Sequence, residues 1–129
     1  MKIAEVKLLH KETEMIIKKM SDVPVTTPSE YQGVEKQILI GREDGSKEII
    51  LRNFSIKPGG ASPYHYHGFP HLVKVERGQG VVVDSAGREH PLSMGMLVYI
   101  PDNEDHGFKN TGSKPFDFLC IVPDRGEKV

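Results

Sequence analysis

The chain has 129 residues, of which 17 are Lys or Arg and 18 are Asp or Glu, so its formal net charge is −1. This length suits one domain with a single core. The near balance of charge provides no broad attraction to phosphate backbones or anionic lipid surfaces, so we expect neither a nucleic-acid nor a membrane partner. The single cysteine, Cys120, cannot form an intramolecular disulfide, and the N-terminus lacks the apolar run of a signal peptide. We therefore expect a cytoplasmic protein.

Residues 1–30 are predicted to form an N-terminal arm, and residues 31–129 a single barrel domain. Apolar residues alternate over residues 4–8 as they do in a strand, whereas those that follow suit one or two turns of helix. Pro24 and Pro28 then force an extended path. We favour a strand-like arm, and because its apolar residues have no place in a closed barrel, we expect it to pack on a second subunit in a homodimer.

From residue 48 onward, apolar runs of four to eight residues alternate with glycine and proline turn signals, which is an all-β pattern. The connection at Pro58-Gly59-Gly60 is predicted to be a turn. The predicted strands are, in chain order, residues 34–40, 48–56, 72–76, 80–84, 88–92, 97–100, 106–110 and 116–122.

Four histidines, His65, His67, His71 and His106, lie among these glycine and proline residues. Alternate side chains of a strand share a face, so His65 and His67 are predicted to point the same way. A glycine and a proline before His71 break that strand, and His71 is therefore predicted to come from a turn. His106 follows a turn cluster and is predicted to begin the next strand. Imidazoles at this spacing indicate a divalent metal site inside a small β-barrel.

Two spaced motifs contain these histidines. The first reads Gly59, five residues, His65, one, His67, three, His71, six, Gly78; the second reads Gly95, five, Pro101, one, Asn103, two, His106, three, Asn110. These spacings resemble the two motifs of the cupin superfamily, G-x5-H-x-H-x3,4-E-x6-G and G-x5-P-x-G-x2-H-x3-N. The chain departs from the family at His71, where glutamate is usual, and at Asn103, where glycine is usual. Asparagine tolerates positive φ, so Asn103 is expected to preserve the turn.

The resemblance implies a cupin-type double-stranded β-helix, the jelly-roll barrel, and a small single-domain cupin with a four-histidine metal site. It covers residues 59–110, extends to about residues 48–123, and does not reach the first 30 residues. Small cupins are commonly dimers, which agrees with the homodimer expected from the arm.

The predicted cofactor is one divalent transition metal per chain, bound by His65, His67, His71 and His106. Neutral imidazole suits Zn, Fe, Ni, Cu and, less strongly, Mn, so the residue types alone do not choose the metal. The ion is predicted to be Mn, Fe, Ni or Zn. Replacing the family's carboxylate by His71 leaves the charge of the ion uncompensated, which would make it a stronger Lewis acid. Four ligands from a barrel wall leave coordination positions open toward the barrel mouth.

Four further residues are predicted around the pocket. Arg52 and Phe54 share one strand face; an inward Arg52 would need a carboxylate partner, and we favour a solvated arginine instead. Phe108 shares the inward face of His106 and is expected to form an apolar pocket wall. Cys120 is expected to be a small buried residue, and the resemblance to four-histidine cupins places it near the metal pocket.

The preferred functional prediction is a metal-dependent, dioxygenase-like enzyme acting on a small organic substrate in the barrel. A sugar or keto-acid isomerase is an alternative, for which Glu76 is the only acid inside the first motif. The second class is a non-catalytic module that senses a metabolite or metal. Motif spacing does not identify the substrate, since specificity depends on pocket shape.

Overall fold

The computed structural model describes residues 14–127, and these residues form a curled antiparallel sheet of the jelly-roll type. The prediction of an all-β fold is confirmed. Short 3-10 helices occupy Met20–Asp22, Arg42–Asp44 and Asp124–Glu127. The eight strands of the described residues are β1 (Gln32–Ile40), β2 (Ile49–Ala61), β3 (His71–Arg77), β4 (Gln79–Val83), β5 (Glu89–Ser93), β6 (Leu97–Ile100), β7 (Gly107–Lys109) and β8 (Phe116–Pro123).

Two groups of strands enclose the core. In the first, β1, β2, β8, β3 and β6 lie side by side, and in the second β5, β4 and β7 do so. The end of β2 joins them, because Ala61 pairs with Lys109 of β7. Alternation along β8 buries Phe116, Phe118, Cys120 and Val122 and directs the intervening residues outward, as the period of two requires.

The turn predicted at Pro58-Gly59-Gly60 is wrong, because these residues belong to strand β2 where it bends between the two groups. Instead of ending near residue 56, β2 continues to Ala61. Gly59 takes φ +82° and donates its amide to the carbonyl of Asn110 at 3.1 Å, and the amide of Asn110 donates to Gly60 at 3.0 Å. The glycine therefore bends β2 as it passes from one group of strands to the other, while the backbone groups stay paired.

Residues 14–30 run beside β1 without forming a continuous strand. Thr26 makes an isolated bridge with Lys36, and the side-chain amide of Gln37 donates to the carbonyls of Met20 and Val23 at 3.1 Å each. The expected strand-like character holds only at Thr26, and the alternating residues 4–8 lie outside the described residues. The division into an arm and a barrel stays a prediction. Within residues 14–127, no helix has the length and apolar character needed to cross a bilayer.

Candidate metal centre and cavity

His65 and His67 lie in an irregular segment, residues 62–70, rather than on the predicted strand. An antiparallel bridge between His65 and His106 holds this segment, with amide-to-carbonyl distances of 3.0 and 2.8 Å. The amide of Ser62 also donates to the carbonyl of Phe108 at 2.9 Å. Both imidazoles nevertheless line one cavity, while Tyr64 and Tyr66 are exposed on the other side. The two histidine side chains therefore face the same cavity, as predicted. The segment forms no regular β-ladder, because proline and glycine interrupt the pairing.

His71 and His106 are delivered by strand ends and are both 5% exposed. His71 is the first residue of β3 and pairs with Ile100 of β6, so it lies on a strand and not in the predicted turn. His106 precedes β7, and its Nδ1 lies 2.9 Å from the carbonyl oxygen of Glu104. A carbonyl only accepts, so Nδ1 carries the proton and Nε2 keeps its lone pair for a ligand.

Three of the four imidazoles form a close group. Ligand nitrogens of His65, His67 and His106 lie within 4.8 Å of one another. Ligands on opposite sides of a transition metal are about 4 Å apart, so only small ring movements separate this group from a coordination geometry. His71 lies outside this trio, and its ring centroid is 4.8 Å from that of His106 and 5.0 Å from that of His67.

The donor set fits a divalent cation. Burial lowers the pKa of His71 to about 3 and that of His67 to about 4, and it also lowers the pKa values of His65 and His106. Neighbouring imidazoles further lower the pKa values of His65, His67 and His71, since each would repel a second positive charge. All four rings are therefore neutral near pH 7, the form that binds a metal. The Nδ1 of His71 is buried without a hydrogen-bond partner, and such an atom is costly unless a ligand satisfies it.

Two motif residues fix the turns that hold this centre. Asn103 has φ 64°, as expected of a residue that replaces glycine, and its amide donates to the carbonyl of His67 at 2.6 Å. The turn of the second motif therefore binds the histidine segment of the first. Gly78 has φ +81°, and a Cβ there would lie 2.1 Å from the carbonyl oxygen of Pro115.

The histidines line a cavity of about 580 Å³ together with a wall of aromatic side chains. The rings of Phe54, Phe108 and Phe118 are stacked, with centroids 5.5 Å apart for Phe54 and Phe118 and 4.5 Å apart for Phe108 and Phe118. Phe69 stacks on His67 at 4.6 Å. The predicted pocket residues Phe54 and Phe108 both line the cavity, and each is 6% exposed.

Arg52 and Cys120 also line the cavity and contact each other. Arg52 is 7% exposed, so the favoured expectation of a solvated arginine is wrong. Its Nη1 donates to Glu127 Oε1 at 3.1 Å and its Nη2 to Cys120 Sγ at 3.0 Å. Glu127 also accepts from Lys36 Nζ at 2.7 Å, so this carboxylate is the partner that a buried arginine requires.

A family model described as a cupin domain matches residues 52–122, which is more than half of the chain. The chain belongs to the cupin family. Among solved structures, this cupin is similar to the polyketide cyclase RemF from Streptomyces resistomycificus, with a TM-score of 0.81 and 26% identity over 86% of this chain and 80% of that one.

Two curated relatives match the cupin over parts of their lengths. Auxin-binding protein 1 of Arabidopsis thaliana is 26% identical over 83% of this chain and 58% of its own length. The transcriptional activator RhaS of Escherichia fergusonii is 39% identical over 42% of this chain and 19% of its own length. The chain thus spans little more than half of the first relative and about a fifth of the second.

Several cavity residues were not found from the sequence. Phe118 shares a strand face with Cys120, and the alternation along that strand indicated this. Tyr31 and Lys36 line the cavity but carry no motif. Glu127 does not line the cavity but holds Lys36 and Arg52 from a distant segment. Glu76, the acid of the first motif, points away from the cavity and pairs with Lys74 on the surface. The acidic residue that lines the cavity, within residues 14–127, is the exposed Glu30.

Proposed function

We propose that this cupin is a metal-dependent enzyme, dioxygenase-like, that acts on a small organic substrate held between the histidines and the aromatic wall. The observation that carries the proposal is the convergence of neutral imidazoles on one side of an apolar cavity of about 580 Å³. His65, His67, His71 and His106 would hold one Mn, Fe, Ni or Zn ion per chain. The ion would supply Lewis acidity and, with iron or manganese, access to dioxygen chemistry.

The protein's own residues would orient the reaction. The hydrogen bond to Glu104 keeps His106 in a single tautomer, so its Nε2 is presented to the ion. Phe108 and Phe118 would bind the apolar part of the substrate and exclude water from its surface. Phe69 limits rotation of the His67 ring by stacking on it.

An isomerase is the less favoured enzyme class. Such a reaction needs a general base within hydrogen-bond reach of the substrate proton. Glu76 is on the outer surface, and Glu30 lines the cavity from an exposed position. Neither is held in a defined geometry beside the histidines, which supports the dioxygenase-like proposal.

A metabolite- or metal-sensing module is the second function that an observation favours. One curated relative is named as a binding protein and another as a transcriptional activator. In a sensor, the same cavity would bind its ligand without turnover. The homodimer, the cytoplasmic location and the lack of nucleic-acid and membrane partners also stay proposals. The near-zero net charge supports them, and the exposed apolar residues Met15, Ile16 and Ile17 support the dimer.

The test is oxygen consumption by protein loaded anaerobically with Fe(II) or Mn(II), measured across keto acids, catechols, thiols and unsaturated compounds. We expect metal-dependent uptake with at least one compound, and none from His106→Ala treated in the same way. Ligand-induced thermal stabilisation without any turnover across the panel would contradict the enzyme and support the sensor.

A further inference from the structure

We propose that Arg52 selects the ligand of this cavity, which is a small carboxylate attached to an apolar body. The inference rests on the proposed function, since it names the chemical class that the same cavity would bind. It joins two observations: a buried guanidinium with unsatisfied donors, and an aromatic wall beside it.

The hydrogen bonds of Arg52 leave donors free. A guanidinium has five N–H groups, and the described residues provide acceptors for two of them, Glu127 and the thiol of Cys120. The thiol is a weak acceptor. The buried Nε has no partner. A buried donor without an acceptor is destabilising, and a ligand carboxylate with two oxygens matches the planar fork of arginine.

The local charge also favours an anion. Lys36 and Arg52 share the single carboxylate of Glu127, and the side chains of all three are between 9% and 18% exposed. This cluster therefore has one excess positive charge in a region largely shielded from water. The neutral histidines do not offset it, and a bound divalent cation would add to it. Glu30 also lines the cavity, but its carboxylate is exposed, so solvent screens its charge. An anionic ligand would be attracted by both, because charges interact strongly where water is excluded.

The aromatic wall defines the rest of the ligand. The guanidinium carbon of Arg52 lies 5.0 Å from the centroid of Phe54, which holds the fork against the ring stack. Phe54 stacks on Phe118, and Phe118 on Phe108, so an apolar surface continues from the arginine across the cavity. A ligand whose carboxylate meets Arg52 would place its hydrocarbon part on Phe108 and Phe118.

Matched acids and amides test this inference. Binding of benzoate and benzamide, and of butyrate and butyramide, would be measured by titration calorimetry on metal-free and Zn²⁺-loaded protein. Benzoate and benzamide have the same ring and differ in charge. We expect benzoate to bind wild type about tenfold or more tightly than benzamide, as expected for hydrogen bonds to a charged group. Arg52→Met should reduce the ratio of the benzoate and benzamide affinities to about one. Arg52→Lys should give a ratio between those of wild type and Arg52→Met.

Arg88→Met is the matched control, because this arginine is on the surface with a side chain 76% exposed. It should retain the wild-type preference. The inference is contradicted if neither acid binds wild type more tightly than its amide, a comparison that needs no variant to fold, or if a folded Arg52→Met keeps the preference. The metal-free measurements separate the two proposals: a benzoate preference there supports the role of Arg52 even if the metal enzyme proves wrong.

Discussion

The metal-free protein should lose stability on mild acidification, because its buried histidines resist protonation. The pKa values of His71 and His67 are lowered from 6.5 to about 3 and about 4. In the unfolded chain these residues bind protons below about pH 6.5, while in the folded protein they stay neutral. The unfolded state therefore binds more protons as the pH falls, and the free energy of unfolding decreases. The stability is fully present above pH 6.5 and is lost below it.

The size of this loss in the free energy of unfolding follows from how far the pH falls below 6.5, the pKa of the histidines in the unfolded chain. Between pH 6.5 and about pH 5 each of the two histidines could contribute about 2 kcal/mol, since one pKa unit corresponds to about 1.36 kcal/mol. His67 is only half-buried, so solvent screening reduces its share. We expect a total loss of about 2–3 kcal/mol, which is a large part of the stability of a domain of this size.

Urea denaturation at about pH 7.5 and about pH 5, with EDTA and at constant protein concentration, measures this loss. A shift of the midpoint by about 1 M is expected. His71→Gln should remove most of the pH dependence, since His71 accounts for about 2 of the expected 2–3 kcal/mol. Equal midpoints at the two pH values for wild type would refute the reasoning. Asp84 does not contribute to this pH dependence, because its pKa of about 2 lies below the two pH values that are compared.

Three further predictions concern the metal, a motif glycine and the outer surface. His106→Ala should lose most of the bound metal, measured by elemental analysis; retention of one equivalent would exclude His106 as a ligand. Gly78→Ala should lower the free energy of unfolding by about 3 kcal/mol or more in urea denaturation, because the added Cβ would lie 2.1 Å from the carbonyl oxygen of Pro115. Gly95→Ala should lower it by only about 1–2 kcal/mol, since the φ of Gly95 is +90° but no atom lies within 4 Å of the added Cβ. Equal losses in the two variants would contradict this reasoning. Leu97→Glu, on an apolar outer surface where this residue is 74% exposed, should convert the expected homodimer to a monomer in light scattering, and an unchanged dimer would place the interface elsewhere.

The outer surface chosen for that variant is continuous across three strands. Leu72 of β3 pairs with Tyr99 of β6 on one side and with Ile121 of β8 on the other, and all three are exposed. Lys74→Glu provides a control, because it places a glutamate at the position that pairs with Leu97 without removing an apolar side chain. It is the more severe charge change, since it replaces a positive by a negative charge and removes the ion pair with Glu76. This control should remain dimeric.

The strands could be predicted because period-two alternation and glycine or proline signals act locally. The predicted and observed bounds agree within two residues for most strands. The exception is β2, which continues past Pro58 to Ala61. Pairing with Asn110, distant in sequence, decides that β2 bends instead of ending.

The contacts of the cavity were less accessible from sequence. Motif spacing placed His65, His67 and His106 close together, because two hairpin turns suffice to bring them there. The burial of Arg52 depends on Glu127, which lies 75 residues away, and no local pattern marks that pair. The position of His71 outside the close trio also results from packing between β3 and β6 rather than from spacing.

The central claim is that four imidazoles bind one transition metal per chain. Anaerobic reconstitution with Fe(II), Mn(II), Ni(II) and Zn(II), followed by elemental analysis and X-ray absorption spectroscopy of the bound ion, tests it most directly. We predict close to one equivalent of metal with four nitrogen ligands, and three in His71→Ala. No retained metal with any of the four ions, or a bound ion without histidine ligands, would contradict the claim.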